Sequence, residues 1–161
     1  MPNYELDKEY MAIVNDIFSN SEYMKLKDIK HHNHTRLKHC IKISYYSYKI
    51  TKIFKLDYVE TARAGLLHDF YLGQVNEQKG IIKKVLLFTT KHPKEAINNS
   101  SKHFHLSEKE KDIIRTHMFP VDIYIPRYAE SWIVSFVDKA VSFKEFGYKF
   151  YNKLFDKTTL L

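Results

Sequence analysis

The stretch Leu66-Leu67-His68-Asp69-Phe70 decides the reading of this chain. An apolar run delivers a histidine and an aspartate, adjacent in sequence, to the expected end of a helix. An imidazole and a carboxylate buried without partners cost on the order of a few kcal/mol, so something has to compensate them. Taken alone, the pair reads as an ordinary helix end, with His68 in the last turn and Asp69 solvated beyond it. The segments on either side change that reading.

Upstream, Asp57 and Glu60 have the D-x-x-E spacing of a capping box, which starts the helix that ends at the pair. Ala62, Ala64 and Gly65 give that helix a small-residue face for close packing. Before it, Thr35 to about Phe54 is the strongest helical segment, with Leu37, Ile41, Ser44, Tyr45 and Tyr48 at a period near 3.6. His39 lies near this stripe, with Arg36 one turn before it and Lys42 almost one turn after. Further back, Tyr10, Ile13, Val14, Ile17 and Phe18 line a helix over residues 5–18. Ser21 is placed to cap a short second helix carrying Tyr23, Met24 and Leu26. His31-His32-Asn33-His34 reads as a histidine-rich loop before the next cap.

Downstream, Tyr71-Leu72-Gly73 leads into a polar loop ending at Gly80. Ile81 to Phe88 predicts a short apolar helix. A new helix is expected from Pro93, with His92 just outside it, running through Ala96 and Ile97 towards Phe104. Ser107 and Glu110 form a second capping box, opening a helix through Ile113, Ile114 and His117 that Met118-Phe119-Pro120 stops. Residues 119–128 read as a stiff aromatic loop, in which the Val121–Ile125 alternation is too short for a strand. A last amphipathic segment carries Trp132, Ile133, Phe136, Val137 and Val141 with Asp138 embedded, loosened at Gly147 before Phe150, Leu154 and Phe155.

The whole chain sets the frame. At 161 residues it is read as one domain, residues 1–161 with a core of about 35–140, able to bury roughly two thirds of its unfolded surface. Apolar residues at 44% with only four Gly and four Pro favour helices, so the expectation is an all-α, single-domain helical bundle. The single Cys40 excludes an internal disulfide, fits a reducing compartment, and is expected to pack in the core. No apolar run approaches the ~20 residues of a membrane span, and Met1-Pro2-Asn3-Tyr4-Glu5 lacks the pattern of a signal peptide. A cytoplasmic protein with no membrane partner is expected. The net charge of +7 is spread along the chain. It would draw in phosphate compounds or nucleic acid, although a solvated Lys-rich surface is the commoner cause and nucleic acid is not favoured.

His39, His68-Asp69, His92, His117 and Asp138 all fall at the apolar edges of these helices, at gaps of about one helix plus its turn. Successive helices of an antiparallel bundle can each aim one or two ligands at a common interior point. Four imidazoles and two carboxylates form a mixed N/O set suited to Fe, Mn, Zn, Co or Ni, and poorly suited to Ca²⁺ or to Mg²⁺ alone.

His39…His68-Asp69…Asp138 resembles the H…HD…D signature of the HD superfamily of metal-dependent phosphohydrolases, over about residues 35 to 140. Ser21 to Phe54, Leu66 to Phe70 and His92 to Asp138 look most like small stand-alone bacterial HD proteins. The resemblance implies a first metal site of His39, His68, Asp69 and Asp138. It assigns His92 and His117 to the second site of dinuclear members, in which the aspartate of the pair bridges two divalent transition-metal ions. The bacterial hydrolases that split symmetrical dinucleoside tetraphosphates have a similar six-ligand pattern. Two departures stand out. His68-Asp69-Phe70-Tyr71-Leu72 replaces the common HD-I-G-K continuation, so its phosphate-binding lysine is missing. His117 is followed by Met118-Phe119-Pro120 rather than the G-Y-P context of cyclic-di-GMP phosphodiesterases, which argues against that substrate.

The implied chemistry is hydrolysis of a phosphate ester or anhydride, with a nucleotide-like substrate. Asp69 and His68 lie at its centre, and a water acidified between two ions acts as the nucleophile. Arg36, Lys42, Arg63 and Lys139 are the candidates to replace the missing lysine. Phe119, Tyr124 and Tyr128 are candidates to stack a base, against a plainer role pinning their loop to the core. Two rivals remain: a mixed-valent di-iron oxygenase, which some HD-fold proteins build from a similar ligand set, and a non-catalytic basic binding module with structural histidines.

Overall fold

The computed structural model describes residues 3–31, 34–73 and 81–155, with side chains for all of these except 31, 81–89, 145, 146 and 148–155. The described residues form helices α1 (Lys8–Phe18), α2 (Ser21–Met24), α3 (Arg36–Ile53), α4 (Tyr58–Leu67), α5 (Ile81–His103), α6 (Glu108–Thr116) and α7 (Ala129–Phe155). The architecture is all-α, as the composition predicts. It also contains two-residue strands, β1 (Lys30–His31) and β2 (His34–Thr35), paired antiparallel with Lys30 opposite Thr35. The histidine tract expected as a loop is therefore partly a ladder, while His32 and Asn33, like the polar loop of residues 74–80, lie outside the described residues. Among the described residues no helix is long and apolar enough to cross a membrane.

Each helix start has a local cause. Asp7 accepts from the Tyr10 amide at 3.1 Å, and Thr35 caps α3 through the Lys38 amide at 3.4 Å. Asn20, not Ser21, caps α2, accepting from the Tyr23 amide at 3.0 Å. Ser21 already has helical geometry, and an Asn one position earlier is an equally good cap. Ser107 and Glu110 make the full reciprocal box. Asp57 makes half of one: its carboxylate accepts from the Glu60 amide at 3.1 Å, but its own amide donates to Glu130 on α7 at 3.0 Å. The second half of that cap is tertiary, and it ties α4 to α7.

The expectation of a break before Pro93 is corrected: α5 runs unbroken from Ile81 to His103 with Pro93 inside it. The ten residues before the proline contain no breaker, and a helix can pass through proline at the loss of one i→i−4 hydrogen bond. His92 is thus held in mid-helix rather than outside one. Gly147 likewise lies inside α7.

α3 is the central helix. It buries a broad face, from Leu37, Cys40 and Ile41 to Ile43, Ser44 and Tyr48, leaves Lys38, Tyr46, Lys49 and Lys52 exposed on the other, and packs against α4 and α7. The α3–α4 crossing explains Gly65, where an added Cβ would lie 2.7 Å from the Ser44 Cα. At the same crossing Ser44 Oγ donates to the Ala62 carbonyl at 2.6 Å, and lies 2.8 Å from the Tyr10 hydroxyl. Of the small residues Ala62, Ala64 and Gly65, it is Gly65 and the Ala62 carbonyl that meet α3 here. With Gly65 against Ser44 in the middle of α3, the C-terminal end of α4, with His68 and Asp69, comes beside His39 and Arg36 in the first turns of α3.

Candidate metal centre

The chain leaving α4 is pinned at nearly every carbonyl. Gly65 O faces His68 Nδ1 at 2.7 Å, Leu66 O accepts from the Tyr23 hydroxyl at 3.0 Å, and Leu67 O from the Phe70 amide at 3.0 Å. Asp69 O accepts from the Tyr71 amide at 2.7 Å, Phe70 O from Asn99 at 3.0 Å, and Tyr71 O from Arg36. Helix-end carbonyls usually find water or a following glycine. Here side chains from α2, α3 and α5 take that place, and the Asp69 carboxylate is fixed in the interior.

His68 and His117 occupy equivalent positions, each the C-cap residue of its helix. His117 Nδ1 lies 2.8 Å from the Ile114 carbonyl, three residues back, as His68 Nδ1 does from Gly65. With Nδ1–H donating to a carbonyl, the neutral ring carries a lone pair on Nε2. His117 Nε2 is 2.9 Å from His92 Nε2, and these two nitrogens lie 3.8 and 3.6 Å from Asp69 Oδ1. His68 Nε2 is 3.9 Å from Asp69 Oδ2. His39 lies beside His68, with ring centroids 5.4 Å apart, and its Nε2 is 3.1 Å from Asp138 Oδ1. All six side chains are buried, so α3, α4, α5, α6 and α7 each send one or two of them to one interior point.

The donor set fits a metal ion. Two groups have ligand atoms close enough to share one: His39 with His68 and Asp69, and Asp69 with His92 and His117. Donors 2.0–2.2 Å from a common tetrahedral ion stand about 3.4 Å apart, close to the spacings around Asp69 Oδ1. His68 Nε2 and Asp69 Oδ1 are buried with no hydrogen-bond partner, which is costly unless a ligand completes them. Electrostatics agree. Burial, then the neighbouring imidazoles, push the His117 ring down to about 3, and burial also lowers His68, so both are neutral and able to ligate at pH 7. Burial alone would raise Asp69 and Asp138, but the surrounding histidines outweigh it and hold both below the usual carboxylate range.

The four candidate cations fare differently. Arg36 is only 5% exposed. Its guanidinium lies over the Tyr71 ring at 3.6 Å and donates to the Tyr71 carbonyl, while its Nε is buried with no partner. The Tyr71 ring is 5.5 Å from His92, so Arg36 is one aromatic ring away from the cluster. Arg63 is not brought there. It pairs with Asp16 at 2.7 and 2.9 Å and donates to the Ile13 carbonyl at 3.0 Å, fastening α4 to α1. Lys139 Nζ donates to the His117 carbonyl at 2.7 Å and to Ser135. Burial lowers its pKa. Lys42 is half-buried on α3.

The aromatic loop is engaged with the protein's own cations. Tyr124 covers the Arg115 guanidinium at 3.3 Å, and Arg115 pairs with Asp122 at 3.0 Å. Phe119 packs edge-on against Trp132 at 5.1 Å. Tyr128 lies near Lys109 and Arg127, each under 6 Å away, and Arg127 is bound to Asp112 at 2.7 Å. Tyr124, Ile125 and Arg127 wall a cleft of about 330 Å³ against Ile97 and the α6 face from Lys111 to Thr116. Two residues at the centre escape a sequence reading, Tyr71 and Ser135. Tyr71 looks like the first residue of a loop yet is 3% exposed. Ser135 stands one turn before Lys139, with nothing in its surroundings in sequence to mark it.

No family model matches the chain, and neither does any curated protein or solved structure at the level that shows kinship.

Proposed function

We propose that this chain is a metal-dependent phosphohydrolase with a dinuclear centre of the HD type. The observation that carries the reading is Asp69, one buried carboxylate shared by two ligand groups. In this reading His39, His68, Asp69 and Asp138 would hold one divalent transition-metal ion, and Asp69, His92 and His117 a second. The chemistry such ions would supply is an acidified water as nucleophile and neutralisation of charge on the phosphoryl oxygens. The protein's own part is to hold the His68 and His117 imidazoles neutral, orient them through Nδ1, and keep the Asp69 carboxylate ionised.

Arg36 supports an anionic substrate. Among the described residues no carboxylate pairs with it, and a buried guanidinium without an anion is destabilising by several kcal/mol. A substrate phosphoryl group would complete it, in place of the lysine missing after Asp69, and the net charge of +7 favours the approach of such a substrate. The test is a screen of protein reconstituted with Mn²⁺, Co²⁺ or Fe²⁺ against nucleotides, dinucleoside polyphosphates and a nitrophenyl phosphodiester. The expected result is phosphate-bond hydrolysis in at least one class, with Arg36→Met raising KM. Metal-loaded protein that cleaves none of them contradicts the reading, and an EPR-active di-iron form with O₂-dependent turnover would assign oxygenase chemistry instead.

A further inference from the structure

We propose that Lys139 is a positioning residue of the metal centre, which sets the α6 ligand His117 in register with the α7 ligand Asp138. This rests on the metal reading above. An ammonium group has three donors, and the structure gives Lys139 Nζ three acceptors: His117 O at 2.7 Å, Ser135 Oγ at 3.0 Å and Ser135 O at 3.2 Å. All three are protein atoms, so the group is saturated without a substrate. Ser135 Oγ itself lies 3.0 Å from His117 O and 2.9 Å from Phe119 O, within donating distance of both. The end of α6 needs such partners. Its last carbonyls have none within the helix, and Met118 and Phe119 follow where a glycine would normally close the turn. A cation there also complements the helix dipole. His117 is thereby fixed at three points: its carbonyl by α7, its Nδ1 by Ile114 O, and its Nε2 within the cluster. Lys139 is the next residue after Asp138, so one short piece of α7 carries a ligand and aligns another.

The experiment is Co²⁺ titration of the full chain, followed by d–d absorption and by the count of bound ions, for wild type, Lys139→Met and Ser135→Ala. Groups that orient metal ligands are typically worth 10–100-fold in affinity. Lys139→Met should weaken the more weakly held of two ions about tenfold and shift its absorption band, leaving the other ion within about twofold. Ser135→Ala should act in the same direction by less, and it carries the test if Lys139→Met does not fold. A fall in Tm with both affinities and both bands unchanged overturns the positioning role and leaves the metal centre standing, as does equal weakening of both ions. A wild-type chain that takes up no Co²⁺ overturns the metal reading and the positioning role with it.

Discussion

The end of α4 and the connector from Met118 to Tyr128 were both singled out by their residues, and the structure separates them. At the end of α4, backbone carbonyls are satisfied by other side chains, while His68 Nε2 and Asp69 Oδ1 are buried and left without partners. At the connector the cations have partners, Arg127 with Asp112 and the α6 residue Arg115 with Asp122 and Tyr124, and the one buried polar atom without a hydrogen bond there is Nη2 of that already paired Arg115, among the described residues. A rigid frame around unsatisfied donors and acceptors is what a ligand site requires, because the cost of burying them is offset only when something binds. A loop whose cations already have carboxylates and rings carries a weaker demand, because the charge itself is compensated.

Replacing Asp69 breaks this comparison most severely. Asp69→Ala should abolish hydrolysis by the metal-loaded protein, whereas Arg127→Ala in the connector should leave kcat within a few-fold. A phosphate-release assay on both variants checks it, and comparable activity in the two would remove the distinction. Gly65→Ala probes the frame itself. The new methyl meets the backbone of Ser44, so denaturant unfolding should show a loss of about 1–3 kcal/mol or more. Gly147→Ala, with nothing within 4 Å, should instead gain up to about 1 kcal/mol from helix propensity.

Acid should act on the ligand cluster, and most clearly through His117 at the end of α6. His117 is held neutral with its pKa pushed down to about 3, while in the unfolded chain it takes up a proton near 6.5. The unfolded state therefore binds more protons between those values, so stability is full above about pH 6.5 and declines as the pH falls towards 3. Asp69 and Asp138, held low in the folded state, add a loss of the same sign below about pH 4. Metal-free protein should lose about 1–2 kcal/mol between pH 7 and pH 5 by urea unfolding, and His117→Gln should flatten that slope. The smallest effect expected is that of Tyr124→Ala. It removes a cation–π contact worth about 0.5–1 kcal/mol at an exposed site and should leave the count of bound metal unchanged.

Much of this was legible in the chain because it is local. Helical periods, the Ser107–Glu110 box and the small face at Gly65 depend on residues a few positions apart, and the convergence of His39, His68, Asp69, His92, His117 and Asp138 follows from one helix plus a turn between ligands. What the chain concealed is tertiary. Glu130 completes the Asp57 cap from 73 residues away, and the residues before Pro93 continue the helix through it. Of the four cations set beside ligands by helical spacing, Arg63 turned out to fasten α1, Lys139 to hold the His117 carbonyl, and Arg36 to lie buried against Tyr71. Spacing along a helix places a Cα, and only packing decides where a long side chain ends.

The most direct test of the central claim is the number of metal ions per chain, measured by elemental analysis after reconstitution and desalting, for wild type and His92→Ala side by side. A carboxylate shared by two ligand groups predicts two ions in wild type and one in His92→Ala, which keeps His39, His68, Asp69 and Asp138. No bound metal in wild type, or the same count in both proteins, would contradict it.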